Sequence, residues 1–161
     1  MAERIATIGV YGFDLERFLG TLATAGVGVV VDVRQRRGVR GREYAWANAQ
    51  RLQAALAAAG VGYRHHRELA PTTAMREAQY RADARVGEGK RSRTHLSLEF
   101  ARLYTEQVLD RADLEPIAVL ARESLPALLC VERDTGACHR HLVADRLARE
   151  FGFEPVHLHP A

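Results

Sequence analysis

The chain has 161 residues, 47% of them hydrophobic and 27% charged, with a formal net charge of +3. These proportions exclude a disordered segment, and the length suffices for one folded core without disulfide or metal staples. No run approaches the roughly 20 apolar residues of a membrane helix, and no basic start leads into a long apolar stretch, so a cytoplasmic protein with reduced cysteines and no membrane partner is expected.

Ile5–Ile8 followed by Gly9 reads as a first strand ending at a turn. Asp14 caps a helix whose Leu15, Phe18, Leu19 and Leu22 share one face, and Gly26 ends it. Val27–Val33 is almost wholly β-branched and unbroken, the pattern of a strand buried on both faces, with Asp32 and Arg34 at its exit. Arg34–Tyr44 is basic and broken by glycine, hence a loop. Trp46–Ala59 reads as a helix stopped by Gly60, and Val61–His66 as a third strand.

Residues 67–96 form a polar insertion, with a helix from Pro71-Thr72-Thr73 through Ala84 and a loose stretch at Gly87–Lys90. Helices at Ser97–Leu109 and Leu114–Glu123 lead to a fourth strand, Pro126–Val131. After a turn at Asp134-Thr135-Gly136, a helix runs from about Cys138 to Phe151, Gly152 ends it, and Pro155–His159 is a last strand. Alternating strands and helices with short apolar strands predict an α/β fold: one three-layer Rossmann-like domain over residues 1–161, with a mostly parallel sheet and helices on both faces.

Ligands of an open parallel sheet bind beyond the carboxyl ends of its strands. Here those ends deliver Tyr11, then Asp32 and Arg34, then His65, His66 and Glu68, then Glu132, Asp134, Cys138, His139 and Arg140, and last His157 and His159. With Cys138 in the first turn of a helix, the free N–H groups and positive dipole end favour an anion there, either a thiolate or a ligand phosphate also held by Arg140. The competing reading makes Cys138 a buried packing residue. Cys130, in mid-strand, reads as structural. His139 and His141 beside Cys138 raise the question of zinc, but adjacent ligands on a helix point about 100° apart and no Cys-x-x-Cys pair exists, so no metal site is expected. Gly9-Val10-Tyr11-Gly12 matches no nucleotide-binding fingerprint, and no cofactor is expected.

Lys90 is the only lysine, so 22 of the 23 basic residues are arginine. Codon bias of a GC-rich genome accounts for the overall excess. The local concentration is a separate matter: Arg34, Arg36, Arg37, Arg40 and Arg42 precede Tyr44 and Trp46, a set able to grip phosphate and stack on bases. A solvated loop paired to Glu43 and other acids is the alternative.

Thr7-Ile8-Gly9, Asp32-Val33-Arg34 and Cys130-x-Glu132-x-Asp134-x-x-x-Cys138-His139-Arg140, in this order, resemble the bacterial and archaeal family called domain of unknown function 488. The resemblance spans about Ile5 to His159 and implies a compact α/β domain but no particular activity. After Gly9 many members read His-Ser where this chain reads Val10-Tyr11, so a role tied to that histidine does not carry over.

The residues together suggest an enzyme acting on a nucleotide, a nucleic acid or another phosphate-bearing ligand. Cys138 is then the nucleophile or redox thiol and His139 its base or orienter. Glu132 and Asp32 place protons or arginines, while Arg34, Arg140, Tyr11, Arg36, Arg37 and Arg40 hold the ligand. A binding module without chemistry, and a purely structural use of the same motifs, are the rivals.

Overall fold

The computed structural model describes residues 3–160. Five strands, β1 Arg4–Ile8, β2 Val27–Asp32, β3 Gly62–His65, β4 Leu125–Leu129 and β5 Glu154–Leu158, form one sheet in the order β3-β2-β4-β1-β5. Every pairing is parallel, so the sheet is entirely, not mostly, parallel. β4 is buried along its whole length, as a central strand of such a sheet must be.

Successive side chains of a strand face opposite ways, and the two layers of helices divide accordingly. Ile5, Val31 and Leu128 pack against α3 (Thr73–Arg85), α4 (Leu98–Gln107), α5 (Glu115–Glu123) and α6 (Arg140–Phe151), through Met75, Tyr104, Ile117 and Val143. Ala6, Ile8, Val30 and Leu129 pack against α1 (Leu15–Ala25) and α2 (Ala49–Ala58), through Phe18, Leu22, Leu52 and Leu56. The three-layer α/β architecture follows directly from this split.

Two helix starts differ from those the sequence suggests. Arg42–Ala47 is a short 3-10 turn and α2 begins only at Ala49, because Asn48 is extended (φ −65°, ψ 142°) and its Oδ1 accepts the Val39 N–H at 2.7 Å. That bond folds the arginine loop back on itself. Thr135–Ala137 is likewise a 3-10 turn, and Cys138 is extended (φ −133°, ψ 146°), so α6 begins at Arg140 rather than at the cysteine. The polar insertion carries α3, whose Thr72 cap accepts the Met75 N–H, followed by a strap anchored where Leu96 N–H donates to the Gly136 carbonyl at 3.0 Å. In the stretch Gly87–Lys90, the Gly87 and Glu88 N–H groups bond back to the Ala84 and Asp83 carbonyls at the end of α3, and the Gly89 carbonyl closes the next turn by accepting the N–H groups of Ser92 and Arg93.

The chain winds outward in opposite directions from β2, which leads to β3, and from its neighbour β4, which leads to β5. The crevice at the carboxyl end of a parallel sheet opens at such a reversal. Next to it, the backbone after β1 touches the backbone after β4: a Cβ on Gly9 would lie 1.9 Å from the Glu132 carbonyl oxygen.

Gly9→Ala is expected to destabilise the fold by at least about 2 kcal/mol, because the obstacle is main chain that cannot rotate away. Gly20→Ala, in the exposed face of α1 with open space around it, is expected to stabilise by about 0.5–1 kcal/mol. Urea unfolding of both variants checks the opposite signs.

Candidate functional site

β2 ends in Asp32, whose carboxylate is fully committed. It accepts Arg34 Nε at 2.9 Å and Nη2 at 2.8 Å, the Arg34 backbone N–H at 3.1 Å and the Tyr63 hydroxyl at 2.5 Å. Arg34 Nη1 donates to the Ala47 carbonyl at 2.9 Å, so the bidentate pair ties the strand exit to the turn before α2. Both residues are buried. Arg34 presents one side to a cavity of about 700 Å³, but Asp32 does not line it. The aspartate is a positioning group for the arginine.

The same cavity is floored by Cys130, Glu132, Cys138 and His139, where β4 ends and the chain turns back toward α6. His139 Nε2 lies 2.9 Å from the Val33 carbonyl, which only accepts, so this nitrogen carries the proton of the neutral ring. Nδ1 is thereby turned to the sulfurs, 3.6 Å from Cys130 Sγ and 3.8 Å from Cys138 Sγ. The Tyr104 ring packs against the imidazole, with centroids 5.2 Å apart. Cys138 Sγ also accepts the Arg140 N–H at 3.5 Å, so the sulfur stands just before the helix rather than in its first turn, yet still receives one of its free donors. At 1% exposure it is nevertheless buried.

Glu132 Oε1 pairs with Arg93 at 2.7 Å and its Oε2 accepts from Cys130 at 3.3 Å. Burial alone would raise the Glu132 carboxyl, but the charges of Arg93 and Lys90 outweigh it and hold the group below its ordinary value. Burial, with the Cys138 sulfur and the Glu132 charge beside it, pushes the Cys130 thiol well above its usual range. Burial would lower the His139 imidazole, yet Cys130, the Val33 carbonyl and Glu132 together raise it.

The walls come from three stretches: Tyr11 after β1, Arg36 and Arg40 of the arginine loop, and Arg76, Lys90, Arg91 and Arg93 of the insertion. Arg93 reaches Asp83 at 2.9 Å and Glu132 together. Arg91 lies over the rings of Tyr11 and Tyr44, 5.0 and 5.3 Å from their centroids, and closes the insertion against the arginine loop.

Several residues singled out in the sequence lie elsewhere. Arg140 is not at the cavity: fully buried, it donates Nη1 to the Glu132 carbonyl at 2.7 Å and Nη2 to the Arg133 carbonyl at 3.3 Å, so it shapes the loop rather than meeting a ligand. Arg37 points to the Tyr63 hydroxyl at 3.4 Å, outside the cavity. Trp46 packs on Phe18, with centroids 4.9 Å apart, in the core on the other face of the sheet, and offers no stacking surface at the site. His157 is taken by Thr7 Oγ1 at 2.8 Å and His65 by the Arg34 carbonyl at 3.1 Å; neither lines the cavity. Conversely, Cys130, read as structural, and the cations of the insertion line the cavity, a placement the sequence reading did not anticipate. The one signal for Cys130 was its two-residue spacing from Glu132.

A protein-family model described as Domain of unknown function DUF488 matches residues 14–147. No curated protein and no solved structure matches the chain.

Asp32→Ala leaves the Arg34 guanidinium buried without its carboxylate and is expected to cost about 3–5 kcal/mol. Arg36→Ala, at an exposed position, is expected to change stability by no more than about 0.5 kcal/mol. Denaturant midpoints of the two variants separate the buried arginine pair from the wall arginines.

Proposed function

The chain belongs to the DUF488 family, and for this member we propose an enzyme that acts on a nucleotide-sized, phosphate-bearing ligand bound in the cationic cavity. One observation carries the reading. Arg36, Arg40, Arg76 and Lys90 line the cavity, and among the described residues none of them forms an ion pair with a carboxylate. The one acidic lining residue, Glu132, is already paired with Arg93. Uncompensated positive charge on concave, weakly polarisable walls focuses the field and concentrates anions. Arginine adds a planar fork of donors that matches phosphate oxygens.

A volume near 700 Å³ suits a small molecule or a single nucleotide unit. The floor favours chemistry over simple capture. Two thiols, an imidazole with its lone pair turned to them and a carboxylate stand together beneath the cations. Such groups take up and release protons beside a bound phosphate, whereas binding alone needs only the walls. The second reading, recognition without turnover, is favoured by the burial of Cys138.

Calorimetric titration with a panel of nucleoside mono- and diphosphates tests the reading. Binding is expected to weaken steeply with salt, and Arg76→Ala or Arg36→Ala is expected to lower affinity about 10-fold or more, as loss of a charged hydrogen bond implies. No binding at about 1 mM of any phosphate-bearing probe would overturn the proposal. Binding that survives in Cys138→Ser, with probe conversion by the wild-type chain but not by the variant, is the outcome expected of an enzyme. Binding without conversion by either favours recognition alone.

A further inference from the structure

We propose that Cys130, Cys138 and His139 form a metal site for a borderline-soft divalent ion such as Zn²⁺, with its open coordination position toward the cavity. The inference stands on the geometry of the floor itself and adds to the anion reading a positive centre that would face the bound phosphate.

The three ligand atoms, two sulfurs and Nδ1, lie within 4.8 Å of one another. Zn–S bonds near 2.3 Å and Zn–N bonds near 2.0–2.1 Å set a tetrahedral S–N edge of about 3.6 Å. The observed S–N edges are 3.6 Å from Cys130 and 3.8 Å from Cys138. The two sulfurs, within 4.8 Å of each other, close toward a tetrahedral S–S edge of about 3.8 Å as an ion enters, a movement that rotation about the cysteine side-chain bonds supplies. The imidazole is also preset. Its Nε2 proton is bound to the Val33 carbonyl, which leaves the Nδ1 lone pair for a metal, the usual outer support of a metal-binding histidine. The Arg140 N–H on Cys138 Sγ gives the same support to a thiolate.

Charge balance points the same way. Entry of a divalent ion displaces one proton from each thiol to solvent, and two thiolates, a neutral imidazole and the ion sum to zero. A neutral assembly suits a buried place where an unpaired thiolate does not. Thiolate and imidazole donors together select zinc and similar ions over magnesium or calcium. Three protein ligands leave a fourth position, and since all three residues line the cavity, that position is reachable by water or by a ligand oxygen. Glu132 Oε2, 3.3 Å from Cys130 Sγ, stands beside it. An ion held this way polarises a phosphoryl oxygen or generates bound hydroxide. Cys138 is then a ligand rather than the nucleophile that its place before a helix suggests.

The reduced, metal-stripped full chain is titrated with Zn²⁺ against a chromophoric chelator, and separately with Co²⁺ followed by absorption. One ion per chain is expected, with release of about two protons near neutral pH. A tetrahedral Co²⁺ spectrum with thiolate-to-metal charge transfer is also expected. Cys130→Ser and Cys138→Ser should each weaken uptake about 100-fold or more, while Arg17→Ala, exposed on α1 away from the cavity, leaves it unchanged. Absence of stoichiometric uptake, a Co²⁺ spectrum without thiolate bands, or equal uptake by the double serine variant would each overturn the site. The Co²⁺ spectrum reads sulfur ligation in the unaltered chain, so the test does not depend on the variants folding. Metal uptake without nucleotide binding would sink the anion reading alone; nucleotide binding without metal uptake would sink this one alone.

Discussion

Cys130 and Cys138 meet because the chain doubles back after β4, and a single buried guanidinium holds that return. Arg140 has no carboxylate partner among the described residues; the carbonyl oxygens of Glu132 and Arg133 take its charge instead. Burying an arginine in this way is costly unless its donors are engaged, and Nε remains without a partner. What offsets the cost is a loop fixed at both ends. Gly9 lets the Glu132 carbonyl come against the exit of β1, and Val131 accepts the N–H groups of Val10 and Tyr11. A side chain at position 9 would push the loop outward and carry Glu132 and the two thiols with it.

The arginines fall into two groups with different physical roles. Arg34 and Arg140 are buried and spend their donors on Asp32 and on carbonyl oxygens, which sets the positions of the strand exits, although one side of Arg34 also lines the cavity. Arg36, Arg40 and Arg76 line the cavity and, among the described residues, have no ion-pair partner. Arg93 connects the groups. Its donors reach Asp83 on α3, Glu132 after β4 and the Ala137 carbonyl, so it ties the insertion to the loop that carries the thiols. The insertion is thus the far wall of the site rather than an appendage.

Much of the fold is legible in the residues. The unbroken β-branched run of β2, the apolar β4 and the Asp14 and Gly26 boundaries of α1 each have a local cause, and the structure keeps them. Of the polar groups expected at the carboxyl ends, Tyr11, Arg34, Glu132, Cys138 and His139 line the cavity, whereas Asp32, His65, Arg140 and His157 do not. The start of α6 was not legible, because the extended conformation of Cys138 is imposed by the turn before it and by contacts of the loop with β1. Whether a given arginine points inward or outward was equally hidden. Arg34, Arg36 and Arg37 are near neighbours in sequence and meet, respectively, a buried carboxylate, the cavity and a tyrosine hydroxyl.

The amino-acid sequence on its own determined the layers, the parallel sheet and the edge where polar groups gather, because strand and helix periodicities and turn residues act over a few positions. Only the tertiary structure decided that Cys130 belongs with Cys138 and His139, and that Arg76 and Lys90–Arg93 line the same cavity. Such pairings depend on which strands become neighbours and on how closely two backbones approach, and no local pattern encodes a distance between segments that many residues separate.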